Sequence, residues 1–355
     1  MLKARLAGLF YFPSTSHNAQ TMTNEINFDI ASLGPTDITP LIDCVRRCYG
    51  ESYPNPVMYD PSKLKEAIDT KLMHSVIAKL PNGEIIGHCA LTFDGPQNTS
   101  PEAGKMMVDP NYRGHQVAEK MAQKRIEIAR TLALPGFWTE CVTNHPYSQH
   151  EMIAFNAKET GLFIGDMPST IAMKGLENHP DTRMSLLAFY LSIEDRPHTI
   201  YLPSNHTTHT QELAQDLNLD RKVLVSNQAG KGQTIINTVV NSGIQTANIS
   251  VELIGNDFLQ AVENQLKNIQ TLNLASIYLD LPIEQEAASK AFEDLEKRGF
   301  FWGSWMPNYS SKGDVVRLQK INQTVNVDEI VCARPQGDSV KSYVVSEWKR
   351  IQKTA

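Results

Sequence analysis

The 355-residue chain contains only five cysteines, an odd number scattered along its length. That pattern argues against a disulfide-stabilised secreted domain and favours a reducing compartment, so we expect a cytoplasmic protein. Cys44 and Cys48 lie four residues apart, on one face if their segment is helical, but no further ligands at metal-site spacing accompany them. We therefore expect no metal.

The chain also lacks long apolar runs and an excess of positive charge. None of its apolar runs reaches the roughly 20 residues that a transmembrane helix requires. It has 33 Lys and Arg against 39 Asp and Glu, a net charge of −6. Overall charge therefore gives no reason to expect a nucleic acid or an anionic membrane as partner.

Length and the N-terminal residues indicate the domain organisation. At roughly 150 residues per domain, the length predicts two domains, with three as the alternative. Residues 1–24 combine a basic start, a short apolar run and Ser/Thr-rich residues, and we interpret them as a flexible extension. A weak signal peptide and a true start at Met22 are the alternatives, and regular structure is predicted from Ile26.

Hydrophobic periodicity predicts an α/β (α+β) combination of strands and helices in the N-terminal half. The predicted elements are a strand at 26–30, helices from 37 and at 63–72, a hairpin around Asn82-Gly83, a strand at 105–108, a helix at 117–132 and a strand at 137–142.

The same order of elements recurs in the C-terminal half. A strand at 249–254, a helix face from Phe258 to Ile269, a strand at 275–281 and a helix ended by Gly299 repeat the order seen from 105 to about 161. The sequence thus predicts two similar domains in tandem, at 25–178 and 179–355, joined near 176–181.

The turn between the strand at 105–108 and the following helix is a candidate anion site. Backbone N–H groups are free at a helix N-terminus, where the helix dipole favours negative charge. Gly114 would let a ligand approach the backbone closely. An Arg-Gly turn taken alone is equally compatible with a structural role.

The stretch from Val108 to Ala118, Val-Asp-Pro-Asn-Tyr-Arg-Gly-His-Gln-Val-Ala, resembles the acetyl-CoA loop of the GNAT superfamily of N-acetyltransferases. Arg113, Gly114 and Ala118 match the family pattern, whereas Gln116 replaces its middle glycine. The order of elements from Ile26 to about Gly165 is also similar to the family's, and the resemblance implies that the strands form a mixed sheet. The second copy has no Arg-Gly loop, and we interpret it as a degenerate GNAT-like domain.

The resemblance implies that the fourth and fifth strands part into a V that holds the pantetheine arm of acetyl-CoA, the cosubstrate. Backbone groups at the end of the fourth strand would bind the arm and polarise the thioester carbonyl, and the loop would hold the pyrophosphate. An amine would then attack the thioester directly, without a metal. The cofactor-binding residues are on this basis Met107, Val108, Arg113, Gly114, His115, Gln116, Val117, Ala118, Asn144 and Ser148.

Direct attack needs a base for the incoming amine and an acid for the leaving thiolate. The family often places a tyrosine four residues before a Gly-Phe pair, but here Met152 takes that place and Asn156-Ala157 replaces the pair. The remaining catalytic candidates nearby are Glu140, His145 and Tyr147, and Cys141 is more simply a core residue.

The sequence predicts an acetyl-CoA-dependent N-acetyltransferase acting on a small-molecule or protein amine, with a homodimer as a further option. Gln116 and Met152 favour the alternative, a non-catalytic acyl-CoA sensor or interaction scaffold. His206 and His209 are interpreted as surface or capping histidines. Trp302, Trp305 and Tyr309 are interpreted as core or interdomain residues.

Overall fold

The computed structural model describes residues 26–95, 98–170 and 182–353. The predicted extension at residues 1–24 and the predicted junction at 176–181 lie outside these ranges. None of the described helices is long and apolar enough to cross a membrane.

The N-terminal half follows the predicted order of strands and helices. Its elements are β1 (Asp29–Ser32), α1 (Ile38–Tyr49), α2 (Pro61–Asp69), β2 (Met73–Lys79), β3 (Ile85–Thr92), β4 (Glu102–Val108), α3 (Val117–Thr131), β5 (Gly136–Val142), α4 (Tyr147–Ala154), β6 (Lys158–Met167) and β7 (Met184–Ser192).

Local sequence explains where these helices begin and which face they bury. The Asp60 carboxylate accepts hydrogen bonds from the backbone N–H groups of Ser62 and Lys63 and so caps α2. On α1, Leu41, Val45 and other apolar residues recur at helical spacing and are fully buried against the sheet.

The C-terminal half contributes the remaining strands and helices. They are β8 (His198–Tyr201), α5 (Ser204–Leu217), β9 (Arg221–Leu224), β10 (Ile235–Asn241), β11 (Thr246–Leu253), α6 (Phe258–Ile269), β12 (Ser276–Pro282), α7 (Ala288–Glu296), β13 (Phe301–Ser310), β14 (Gly313–Ile321) and α8 (Pro335–Gln352).

Among the described residues, twelve strands form one mixed sheet, in the order β1-β2-β3-β4-β5-β7-β6-β13-β14-β12-β11-β10. Strand β7 lies between β5 and β6, and β14 lies between β12 and β13. The run β11-α6-β12-α7-β13-β14 thereby repeats both the order and the strand pairing of β4-α3-β5-α4-β6-β7. Strands β8 and β9 form a separate parallel pair.

The two halves meet edge to edge where β6 pairs with β13. The ladder contains one pair, Gly161 with Ser304. The loop before β4 adds a second contact, since the Thr99 N–H donates to the Tyr309 carbonyl at 3.1 Å. The sheet therefore continues from the first half into the second, and the loop before β4 is hydrogen-bonded to the end of β13.

Several details differ from the sequence prediction, and the first strand, predicted at 26–30, lies at Asp29–Ser32. Strand β7 starts after the predicted boundary at 178/179 but pairs with both β5 and β6, so the strand pairing of the first half extends to Ser192. Strand β4 begins at Glu102 rather than at 105. Helices α5 and α8 were not predicted, although the 18-residue α8 packs on β6 and β13.

Candidate active site

Strands β4 and β5 run parallel but separate after a single ladder pair, Glu102 with Trp138. The Thr139 hydroxyl donates to the Ala103 carbonyl just beyond that pair, and no further pair joins the two described strands. The equivalent strands of the second half, β11 and β12, keep five consecutive pairs from Thr246–Ser276 to Ser250–Asp280. The predicted split is therefore present in the first half, whereas the second half is closed there.

A bulge in β4 accompanies the split. Lys105 has φ 57°, a left-handed conformation, and the β3–β4 register shifts between His88 and Ala90. The fully buried His88 ring lies beside the bulge, with Nδ1 3.2 Å from the Lys105 carbonyl oxygen and Nε2 3.0 Å from the Ser75 hydroxyl. Burial lowers the pKa of His88 to about 3, so the ring is neutral and holds the bulge through hydrogen bonds.

The loop after β4 is anchored to α1 and turns sharply into α3. The Asp109 carboxylate accepts from the Asn111 N–H at 3.0 Å and pairs with Arg47, which anchors the loop to α1. Gly114 has φ 84° and Gln116 has φ 60° immediately before α3 begins. A Cβ on Gly114 would meet nothing within 4 Å, so the space beside this backbone is open to a ligand.

The side chains of the predicted loop residues point in different directions. The Arg113 Nε atom lies 3.4 Å from the Val108 carbonyl oxygen, so its side chain turns back along β4. Val117 is buried in the α3 core. His115 is partly buried, and Ala118 lies in the first turn of α3. Gln116 is exposed, so its side chain does not fill the turn.

Met107 and Val108 end β4 beside the split. The Met107 side chain is buried in the core under α1, and Val108 packs with the α3 cluster on the other face. Their side chains are thus used in packing, and the backbone is what faces the split.

The residues after β5 lie at the same edge of the sheet as the loop, because β4 and β5 are parallel. His145 and Tyr147 have ring centroids 4.9 Å apart, and Tyr147 is 46% exposed. Burial lowers the pKa of His145 and keeps it neutral. Asn144 and Ser148 are half-buried beside them.

A segment from the C-terminal half braces this second loop. The Val331 N–H donates to the Thr143 carbonyl at 2.8 Å, and the Gln149 amide donates to the Val331 carbonyl at 2.9 Å. Neither Gln149 nor this segment is predicted by the sequence, because local pattern carries no signal for such a contact.

Glu140 is the catalytic candidate placed nearest the point of separation. It lies on β5 two residues beyond Trp138, so the alternation of a strand puts it on the same face of the sheet as Trp138. Its carboxylate oxygen Oε1 is 3.8 Å from a terminal nitrogen of Arg317. Desolvation and the neighbouring Asp166 raise the pKa of Glu140 well above its usual range, although Arg317 opposes the shift.

The position expected to hold a tyrosine is a core position. Met152 is 3% exposed, and its carbonyl accepts from the Ala157 N–H at 3.0 Å. In the second half the Leu295 carbonyl accepts from the Phe300 N–H at 3.1 Å. The two helix ends therefore have the same geometry, and neither carries a proton-donating side chain at that position.

The histidines at 206 and 209 were wrongly interpreted as surface or capping residues. His206 is fully buried, with Nε2 3.0 Å from Glu296 Oε1, and the His209 ring stacks on Tyr343 at 3.5 Å. Arg350 also pairs with Glu296. These side chains join α5, α7 and α8, and the Glu296 carboxylate is already paired with Arg350.

Comparisons with known proteins bear on the N-terminal half. The model of the acetyltransferase (GNAT) family matches residues 38–152. No curated protein sequence matches the chain.

Similar solved structures include an N-acetyltransferase from Staphylococcus aureus Mu50, 15% identical, covering 47% of this chain and 98% of that one at TM-score 0.38. The ribosomal-protein-S18-alanine N-acetyltransferase from Escherichia coli is 14% identical and covers 47% of this chain and 95% of its own, also at TM-score 0.38. The family match, rather than these distant likenesses, carries the assignment. The chain therefore contains, over residues 38–152, a domain of the acetyltransferase (GNAT) family.

Proposed function

We propose that the protein is an acetyl-CoA-dependent N-acetyltransferase with Glu140 as its general base. One observation carries the proposal: Glu140 lies just beyond the last β4–β5 pair, where the strands separate beside an open Gly114 turn. The split would receive the acetylated pantetheine arm, and the N–H groups from Gly114 to Ala118 would hold the pyrophosphate.

The reaction requires no covalent enzyme intermediate. The amine nitrogen attacks the thioester carbonyl carbon, a C–N bond forms and the C–S bond breaks. The proton released from nitrogen passes to the Glu140 carboxylate, and the coenzyme A thiolate takes a proton from solvent or from a nearby acid. A raised pKa suits Glu140 to this role, because a base works best when its pKa lies near the operating pH.

Glu140 is preferred to the other two catalytic candidates because of position. His145 and Tyr147 follow the end of β5, at the edge where the loop lies, and Tyr147 is largely exposed. Glu140 instead lies within the strand, on the face of the sheet that carries Trp138.

We also propose that residues 182–353 include a degenerate copy of the first fold that binds no acetyl-CoA. The repeated strand pairing supports a copy, and the closed β11–β12 ladder supports the loss of cofactor binding. A cytoplasmic location and an amine acceptor, small molecule or protein, belong to the same proposal.

The test is a calorimetric titration with acetyl-CoA and with coenzyme A, followed by thiol release in the presence of a panel of amines. Saturable binding at one site per chain together with amine-dependent thiol release is the expected result. Binding without turnover across the panel would favour the sensor that Gln116 and Met152 suggest. Absence of binding would refute both.

A further inference from the structure

Strand β10 is the last strand of the twelve-stranded sheet, and among the described strands it pairs only with β11. Its outer edge therefore presents backbone N–H and C=O groups that no described strand pairs with. The strand has seven residues, Ile235–Asn241. At 3.3 Å per residue they span about 23 Å. An open edge of this length is a template on which a further strand can pair.

The sequence protects the other edge of the sheet but not this one. Strand β1, at the opposite end of the strand order, has only four residues and begins with the exposed Asp29. Short length and charge are common means by which proteins keep a sheet edge from pairing with another molecule. Strand β10 has neither, because residues 232–251 contain no charged residue and no proline.

One face of β10 exposes apolar side chains beside the open edge. The Thr238 hydroxyl donates to Gln265 on α6 at 2.8 Å, so the even-numbered residues of the strand face that helix. The odd-numbered residues point to the other face, where Ile235 is 50% exposed and Val239 is 61% exposed. Single exposed apolar residues are ordinary, but these two share one face of an edge strand. The exposed apolar area and the unpaired backbone therefore lie together.

Charge and symmetry identify a second copy of this chain as the occupant. A strongly charged partner would need opposite charges along the edge, and residues 232–251 provide none. Two copies, each with a net charge of −6, repel each other overall, and this uncharged stretch lets them meet without like charges in contact. Two identical strands that pair antiparallel are related by a two-fold axis, so each face meets the same face of the copy.

An antiparallel pair centred on Val239 matches side chains of the same kind. Val239 then lies opposite Val239 of the second copy, and Asn237 lies opposite Asn241 on both sides of the axis. The Asn241 side-chain oxygen already accepts from the Gly243 N–H at 3.1 Å. Its amide nitrogen would donate to the Asn237 oxygen of the second copy. The pairing therefore combines one apolar contact with two amide contacts.

We propose that β10 pairs with β10 of a second copy around a two-fold axis at Val239, which gives a homodimer with one sheet running through both copies. The pairing satisfies the outer N–H and C=O groups of β10 and covers Val239. The inference does not rest on the proposed function, because β10 takes no part in the split between β4 and β5.

The experiment measures the mass of the full-length protein by sedimentation equilibrium from about 1 to 100 μM, which brackets micromolar dissociation constants. We expect a dimer at the upper end of this range. Val239→Lys should raise the dissociation constant by about tenfold or more, because it places two ammonium groups opposite each other. Leu132→Lys is the matched control, since Leu132 is 39% exposed at the end of α3 in the first half. This variant should dimerise as the unsubstituted protein does.

A second variant, Val239→Cys, tests the register of the pairing. Its two thiols would lie directly opposite each other, and the oxidant diamide should link them into a covalent dimer by taking up their two hydrogens. Leu132→Cys should give no such link. A monomer at every concentration would overturn the inference, as would a dimer that Val239→Lys leaves intact. A dimer that diamide does not link in Val239→Cys would overturn the pairing centred on Val239.

Discussion

Among the described residues, Gly161 on β6 and Ser304 on β13 form the one pair of the β6–β13 ladder, through which the sheet of the first half continues into the second. A Cβ placed on Gly161 would lie 2.2 Å from the Gly303 carbonyl oxygen and 2.3 Å from the Ser304 Cα. Both neighbours are backbone atoms, which cannot rotate away. The close approach of the halves therefore depends on glycine at this position.

Gly161→Ala should destabilise the protein by about 1–3 kcal/mol, because the added methyl group pushes β13 away from β6. Urea-induced unfolding measures the change. Gly243→Ala is the control, since its Cβ would meet only the Asn241 side chain, at 3.3 Å. Equal stability of the two variants would show that β6 and β13 can move apart at this pair without loss of stability.

Glu140→Gln should lower kcat by about 10²–10⁴-fold while acetyl-CoA binding stays intact, because glutamine cannot accept the proton. In the unsubstituted enzyme, activity should fall as the pH drops through the raised pKa of Glu140, since the base is then protonated. The measurement is kcat against pH by thiol release.

The stability of Glu140→Gln separates a catalytic role from a structural one. A raised pKa in the folded state means that the Glu140 carboxylate destabilises the fold as the pH rises through that pKa, so the neutral amide should be at least as stable at neutral pH. A variant that loses activity and unfolds more easily would indicate a structural role instead.

Gly114→Glu should abolish acetyl-CoA binding in calorimetry, since it places a negative side chain in the open space beside the turn. Gly83→Glu is the matched control. Gly83 also has a positive φ, 91°, and open space around its Cβ, but it lies in the β2–β3 turn. Both variants carry similar backbone strain. Loss of binding in both would therefore show that the substitutions disturb folding, not the acetyl-CoA site itself.

Gln116→Gly should tighten acetyl-CoA binding several-fold, because it removes a side chain from beside the N–H groups that would hold the pyrophosphate. Its φ is 60°, which glycine adopts without strain, so the turn should keep its shape. Lys71→Gly is the control, since Lys71 has the same φ and is also exposed. The two variants should change stability similarly, and only Gln116→Gly should change affinity. Unchanged affinity in Gln116→Gly would mean that the glutamine does not restrict the loop.

His88 should make the fold sensitive to acid. Its pKa is about 3 in the fold, and a histidine in an unfolded chain titrates near 6.5. The stability that its neutral form contributes is full above about 6.5 and is lost as the pH falls towards 3, because only the unfolded chain takes up a proton in that window.

The free energy of unfolding, measured from pH 7 to 4, should therefore fall less steeply in His88→Gln than in the unsubstituted protein. His150→Gln, at an exposed position on α4, serves as the control. The same slope in all three proteins would show that His88 does not cause the loss of stability in acid.

The candidate site was predictable where its signals are local. The run from Val108 to Ala118 is contiguous, so the loop and its glycine could be identified before the structure. The spacing that places Met152 four residues before Asn156-Ala157 is also a local signal. The corresponding helix end in the second half, at Leu295 and Gly299-Phe300, closes with the same backbone hydrogen bond. Arg317 and Gln149 could not be found in this way, because their partners are distant in sequence.

The sequence by itself determined the strands and helices from β1 to β5, the Arg113-Gly114 loop and the repeated order of elements, because periodicity, turn chemistry and caps act over a few residues. Only the tertiary structure decided that β4 and β5 separate while β11 and β12 stay paired, and that β7 lies between β5 and β6. It alone decided that Glu140 meets Arg317. Those outcomes depend on which strands become neighbours and how the sheet curls, and these are set by packing across the whole chain.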